Sequence, residues 1–193
     1  MKVTFWLLDV NYEVKDGSPE VWLWGIDANG KRVLVIDRSF ESYFYVLLED
    51  SAEPARIIKV INRDEYPSVT RSEAVERRFF GKSVKMVKVY CKDPDSVPKY
   101  AKMLRKLEGV KDCLEDDTRY SMRYLIDNNV VPCGWHEVEA TEEKTIERIQ
   151  VNKILAAESC PKLVERTETP QLKILGFSII CYSREGSPKP DRN

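Results

Sequence analysis

The sequence predicts an α+β fold, in which a mostly antiparallel sheet is followed by a ferredoxin-like β-α-β layer. Three patterns lead to this prediction: short apolar segments separated by turn residues over the first fifty positions, alternation of apolar and basic residues over 84–90, and helical periodicity over 97–107. The chain has 193 residues, of which 42% are hydrophobic. That is enough apolar surface to bury a core, which excludes wholesale disorder.

The first part of the chain is predicted to form strands joined by tight turns. Asp16-Gly17 and Asn29-Gly30 supply the positive-φ residues that hairpin turns favour. The predicted strands cover residues 3–14, 21–24, 32–36 and 43–48. A helix is predicted over 52–62, because Ile57, Ile58 and Ile61 recur at helical spacing.

The β-α-β layer is predicted over residues 83–116. Its first strand is the alternating segment 84–90, and Asp93-Pro94 then offers an N-cap carboxylate and a proline in the first turn of a helix. Gly109 ends that helix, and residues 110–114 form the next strand. A short helix over 119–127 follows.

The composition divides the chain into three segments. Residues 1–133 are predicted to form one domain, and 134–170, rich in Glu, Thr and Lys, a connecting excursion. Residues 171–193 are predicted to open a second domain with an apolar strand over 171–182. Such a strand is expected to need neighbours in a sheet.

Charge is distributed unevenly along the chain, although the formal net charge is only −1. Residues 71–111 hold twelve Lys and Arg against five acids, and residues 112–147 hold ten acids against three basic residues. The basic segment is either a solvated face or a surface that follows a polyanion backbone. In the second interpretation, the candidates for phosphate contacts are Lys82, Lys85, Lys88 and Lys92.

Several functional classes are excluded by what the sequence lacks. It has no phosphate-binding glycine loop and no metal-spaced Cys/His cluster, and His136 is its single histidine. We therefore predict no metal site and no cofactor. No apolar stretch approaches the roughly 20 residues that a membrane span needs. With five widely spaced cysteines and no secretory leader, the expected location is cytoplasmic, with no membrane partner.

Six segments occur in an order that resembles one family. They are residues 8–12, 37–45, 75–82, 95–98, 123–127 and 172–177. In this order they resemble the N-terminal part of the archaeal family B (alpha-like) DNA polymerases, over most of 5–133 and again over 171–193. The resemblance implies that 171–182 is the opening strand of a truncated, RNase H-like 3′-5′ exonuclease domain.

The resemblance also implies that the exonuclease motif is replaced. The family carries Asp-Ile-Glu on that strand, where this chain has Ser178-Ile179-Ile180. Two-metal phosphodiester hydrolysis needs anionic oxygen ligands, which Ser178 and Ile180 do not supply. The chain alone is therefore expected to be catalytically inert, with no catalytic residues of its own.

In this archaeal family the N-terminal domain captures uracil in the single-stranded template. The positions that match its pocket are Tyr12, Tyr43, Pro94, Val97, Thr118, Tyr120 and Arg123. Two positions depart from the family pattern: Ser42 stands where proline is usual, and Thr118 where a bulkier aliphatic is usual.

Two functions remain open from the sequence. In the first, the chain is a fragment of a family B DNA polymerase that binds single-stranded template DNA, together with the remainder of the polymerase or other replication proteins. In the second, it is a stand-alone regulatory or docking protein of the replication machinery, without a base pocket. The tyrosines would then be ordinary strand residues, and Val97 would belong to the core.

Overall fold

The computed structural model describes residues 1–62, 64–144 and 149–180. Within these ranges it contains ten strands and three α-helices. The strands are β1 (Lys2–Lys15), β2 (Ser18–Asp27), β3 (Arg32–Asp37), β4 (Ser42–Leu48), β5 (Val69–Phe79), β6 (Lys82–Cys91), β7 (Val110–Leu114), β8 (Trp135–Glu143), β9 (Lys153–Ala157) and β10 (Lys162–Leu163). The helices are α1 (Pro54–Ile61), α2 (Val97–Leu104), which follows a 3-10 turn at Pro94–Ser96, and α3 (Tyr120–Asp127). No helix in the described ranges is long and apolar enough to cross a bilayer.

Six of the strands form a sheet that closes on itself. Their order is β1-β2-β3-β9-β8-β10, and β8 also pairs with β1. Strand β1 is long enough to serve both neighbours: Lys2 to Trp6 pair with β8, while Phe5 to Lys15 pair with β2. Its register with β2 shifts between Leu7 and Asp9, which marks a bulge where a strand can bend. All pairs in this closed sheet are antiparallel except β3 with β9.

The other four strands form an open sheet in the order β5-β6-β4-β7. Both β6 and β7 run antiparallel to β4 and flank it, so they are parallel to each other. Helix α2 provides the crossover between them. The predicted ferredoxin-like layer over 83–116 is confirmed, with β4 inserted between its two strands.

Each sheet has its own apolar core. The closed sheet fills its interior with residues such as Phe5, Leu23 and Leu155, which are fully buried. The open sheet packs one face against α1 and α2, where Ile57 and Leu104 are buried. A fully buried aliphatic or aromatic side chain contributes roughly 1.5–3 kcal/mol, so the two cores account for most of the stability of their sheets.

The α+β class is confirmed, and two segments differ from expectation. Strand β5 is not predicted from the sequence, because most of its residues are polar and exposed, so its apolar alternation is weak. Residues 134–170, predicted to be a connection, contribute β8, β9 and β10 to the closed sheet. The division of the chain at 133/134 and 170/171 into domains remains a prediction.

The predicted strand over 171–182 is wrong for residues 171–180, which form no strand. Ile174, Leu175, Phe177, Ile179 and Ile180 are all at least 75% exposed. A single strand is not stable without hydrogen-bonded neighbours, and the described residues offer it none. Residues 181 and 182 lie outside the described ranges.

Candidate nucleic-acid interface

A cavity of about 240 Å³ lies where the two sheets meet, and it brings together all seven residues predicted for the pocket. They come from both sheets and their helices: Tyr12 from β1, Tyr43 from β4, Pro94 and Val97 from the start of α2, Thr118 from the segment before α3, and Tyr120 and Arg123 from α3 itself. The lining comprises Tyr12, Ser42, Tyr43, Pro94, Asp95, Val97, Pro98, Asp116, Asp117, Thr118, Arg119, Tyr120 and Arg123.

The start of α2 is fixed by local hydrogen bonds that the sequence pattern predicts. The Asp95 amide donates to the Asp93 carboxylate at 3.0 Å, and Pro94 occupies the first turn, where no amide donor is needed. The Ser42 hydroxyl donates to the Cys91 carbonyl at 2.7 Å and ties the start of β4 to the end of β6. These contacts hold Pro94 and Val97 against the cavity.

Two tyrosines form one wall. The rings of Tyr12 and Tyr120 meet edge to face, with centroids 5.2 Å apart. Tyr12 donates to the Asp95 carboxylate at 3.0 Å, and Tyr120 donates to the Phe40 carbonyl. Burial raises the pKa of both phenols, so both remain neutral hydrogen-bond donors at physiological pH.

Arg123 closes the cavity from the α3 side. It is only 8% exposed, and it donates to the Glu115 carboxylate and to the Tyr43 hydroxyl, the latter at 3.2 Å. Burial is the largest single influence on Arg123 and lowers its pKa, but the hydrogen bonds and charge interactions with Glu115 and Tyr43 together outweigh burial, so the pKa of Arg123 is raised. Tyr43 in turn donates to Asp127, and burial together with this bond raises the pKa of Tyr43. The network positions both the Arg123 guanidinium and the Tyr43 ring.

Val97 lines the cavity and also belongs to a core. Its side chain is 6% exposed and packs in the cluster that includes Tyr100, Ala101 and Leu104. Thr118 lines the same cavity, is half-buried and belongs to neither sheet's core.

Sequence reasoning missed three carboxylates in the lining. Asp95, Asp116 and Asp117 also line the cavity, where the sequence alone indicated only a helix start and solvated acids. Arg105, which directly follows the helix that bears Val97, pairs with Asp116 at 2.7 Å. The sequence feature that could have placed Asp116 and Asp117 in the lining is their position shortly before Tyr120, a residue already assigned to the pocket.

The four candidate phosphate-binding lysines do not share one surface. Lys82 and Lys88 lie on the face of β6 that also carries Tyr90, while Lys85 lies on the opposite face, as strand alternation requires. Lys92 lies beyond the strand and lines a second cavity with Lys15 and Arg38.

Ser178 and Ile180 are the two positions predicted to have lost exonuclease carboxylates. Ser178 and Ile180 are exposed in the segment that forms no strand. Among the described residues, no group of three His, Cys, Asp or Glu side chains is placed to hold a metal ion.

Comparison with known proteins identifies the family. A family model described as DNA polymerase family B, exonuclease domain, matches residues 111–193. DNA polymerase 2 of Aeropyrum pernix is 34% identical over 197 residues, covering 99% of this chain and 24% of that protein. The chain belongs to the N-terminal region of the archaeal family B DNA polymerases.

Further relatives agree with this assignment. DNA polymerase 3 of Saccharolobus shibatae is 30% identical over 98% of this chain and 24% of its own length. The structure of the family B DNA polymerase from Pyrobaculum calidifontis matches with a TM-score of 0.74 and 36% identity, over 88% of this chain and 21% of that one. This family B chain therefore spans about a quarter of the length of the curated relatives that it matches over nearly its full length.

Proposed function

We propose that this chain is the template-reading part of a family B DNA polymerase, which binds single-stranded DNA and captures uracil. The observation that carries the proposal is that seven residues, chosen by family resemblance alone, line one cavity. At about 240 Å³ the cavity is smaller than the roughly 300–1,000 Å³ of sites for drug-sized ligands, and so suits a single planar ring.

The chemistry of the lining fits a flipped-out pyrimidine. A base taken out of its stack needs an apolar or aromatic slot, which Tyr12, Tyr120 and Pro94 provide, and polar groups for its Watson–Crick edge. Uracil lacks the methyl group of thymine, so a close wall at Val97 excludes thymine by its bulk. Cytosine has its donor and acceptor exchanged relative to uracil, so a pocket that hydrogen-bonds the uracil edge disfavours it.

The proposal includes the context of this chain. Its partners are single-stranded template DNA and the remainder of the polymerase or other replication proteins, in the cytoplasm. The chain itself is catalytically inert, because Ser178 and Ile180 replace the exonuclease carboxylates. A labelled single strand incubated with the chain and Mg²⁺ is expected to remain intact, and its shortening from the 3′ end would contradict this part.

The pocket is best tested at Thr118, since Val97 also supports a core and its replacement would mix two effects. Thr118→Tyr places a ring inside the cavity without removing core packing. The wild type is expected to bind a strand with one deoxyuridine on the order of tenfold more tightly than its thymidine counterpart. Thr118→Tyr is expected to abolish that preference with little change in melting temperature. Fluorescence anisotropy and a thermal melt measure the two quantities.

Thr167→Tyr is the matched control, because Thr167 is exposed and lies outside the cavity. It should keep the wild-type preference for uracil. Equal binding of the uracil and thymine strands by the wild type would exclude the uracil pocket and favour the docking protein without a base pocket.

A further inference from the structure

The open sheet has one face that α1 and α2 do not occupy. Cross-strand pairs place Tyr43 and Tyr45 of β4 beside Tyr90 and Lys88 of β6, and Arg77 of β5 lies on the same face. The helices pack on the other face, against Val87 and Val89. Tyrosines and cations therefore alternate across this surface.

The cations and rings form a continuous row that begins at the cavity. The Arg123 guanidinium lies 4.6 Å from the centre of the Tyr43 ring, and the Lys88 ammonium lies 3.6 Å from the same ring. Lys88 is also 5.9 Å from the centre of the Tyr45 ring, and the Arg77 guanidinium is 5.8 Å from the centre of that same ring. Each cation rests on an aromatic ring, which limits its freedom. Arg123 donates its N–H groups to Glu115 and Tyr43, so Lys88 and Arg77 are the cations with N–H groups left for a ligand.

Arg123 is paired with Glu115, but the other two cations of the row, Lys88 and Arg77, differ from basic residues nearby because they form no ion pair among the described residues. Arg71 covers Tyr90 on the same face, but it is paired with Glu41 at 2.9 Å and lies 3.7 Å from Glu73. Within the described part of the chain, Lys88 and Arg77 have no carboxylate within 4.0 Å. Two charges of the row are therefore available to an anion.

The cavity lining carries charges of both signs. Asp95, Asp116 and Asp117 line it together with Arg119 and with Tyr43 and Arg123, from which the row starts. Arg105 pairs with Asp116 at 2.7 Å, so that this carboxylate is already neutralised. A phosphate next to a captured base would be attracted by the two cations of the row that form no ion pair.

Resting on the proposed capture of a base, we propose that the row Arg123, Tyr43, Lys88, Tyr45 and Arg77 holds the phosphates next to the captured nucleotide. The ligand is single-stranded DNA, contacted through its backbone and without sequence preference. Lys88 and Arg77 are the phosphate contacts, and Tyr43 and Tyr45 hold them in place.

The test uses Lys88→Gln and Arg77→Gln in the full chain, with Lys85→Gln as the matched control on the opposite face of the same strand. Each lost phosphate contact reduces the slope of log K against log salt by about 0.7 for single strands, which is about fivefold in affinity at about 0.1 M salt. Both row variants should weaken binding by that factor for uracil and thymine strands alike. Lys85→Gln should bind as the wild type does, and Lys88→Arg should restore affinity.

The outcomes separate this inference from the proposed function. A wild type without uracil preference contradicts the pocket. The row is tested independently, by the slope of log K against log salt of the variants, measured with the uracil strand or with the thymine strand. Row variants that keep the wild-type slope, or a Lys85→Gln effect of equal size, would overturn the row and leave a merely solvated basic face. Thermal melts of the four variants ensure that any loss of binding is measured on folded protein.

Discussion

The closed sheet and the open sheet differ in which of their faces are buried. The closed sheet turns one face inward and fills most of it with buried side chains such as Leu23. The open sheet buries one face beneath two helices, and its other face combines a small buried cluster around Leu47 and Met86 with tyrosines, arginines and a lysine. Closure favours stability, whereas an open sheet keeps a face for contacts with a partner. The candidate cavity lies at the junction between the closed sheet and the open sheet.

The largest expected contrast is in core deletion. Leu23→Ala removes a fully buried side chain from inside the closed sheet and should lower the free energy of unfolding by about 2–5 kcal/mol. Val75→Ala, on the face of the open sheet that carries the row, should cost about 1 kcal/mol or less, because Val75 is only half-buried. Urea denaturation of both variants measures the difference. Similar losses would mean that the two faces are equally packed.

Two glycines sharpen the comparison. A Cβ at Gly25 of the closed sheet would lie 2.6 Å from the Phe5 ring and 2.7 Å from the Trp6 carbonyl, so Gly25→Ala should cost about 1–3 kcal/mol through overpacking. At Gly81, in the turn between β5 and β6, a Cβ would meet nothing within 4 Å. Gly81→Ala should cost about 1 kcal/mol, from its φ of +80° alone. The opposite ranking in thermal melts would contradict this account of the closed sheet.

The smallest expected effect is a pH dependence confined to the closed sheet. His136 on β8 is fully buried; its Nε2 accepts from the Val131 amide at 3.2 Å, and its Nδ1 lies 3.0 Å from the Gly134 carbonyl. Burial lowers its pKa, against a smaller opposing effect of the Gly134 hydrogen bond. The unfolded chain therefore takes up a proton first, and stability is full above about pH 6.5 and declines as the pH falls below it.

Because the chain has one histidine, its replacement isolates this effect. The melting temperature of the wild type should fall between about pH 7 and pH 5.5, the range around an ordinary histidine pKa. His136→Gln should have a lower melting temperature that changes little over the same range. An equally steep decline in the variant would assign the pH dependence to other groups.

Local patterns predicted most of the fold, and contacts between distant segments did not follow from them. Turn glycines and alternating apolar residues located β1 to β4 and β6, since these signals are local in the sequence. Strand β5 was missed because a partner strand stabilises its mostly polar residues. The polar segment 134–170 was predicted to be a connection. Its strands depend on pairing with β1 and β3, which lie more than a hundred residues earlier, and no local pattern reveals such pairing.

The same limit applies to the candidate site. Family resemblance selected the seven lining residues, but no periodicity could show that β1, β4, α2 and α3 converge on one cavity. The carboxylates of the lining and the row of cations depend on cross-strand register, which one sequence does not specify. Lys85 shows the difference: it belongs to the same basic segment as Lys88 but lies on the other face of β6.

The position of the cavity couples the two halves of the molecule. Tyr120 packs in the core of the closed sheet, and Val97 packs in the core of the open sheet, yet both line the same space. A molecule bound there would contact residues of both cores and connect them. Because such a molecule would bind only while both halves are folded, its binding free energy would raise the free energy of unfolding of each half. The two separately packed units would then unfold in a single transition when the cavity is occupied.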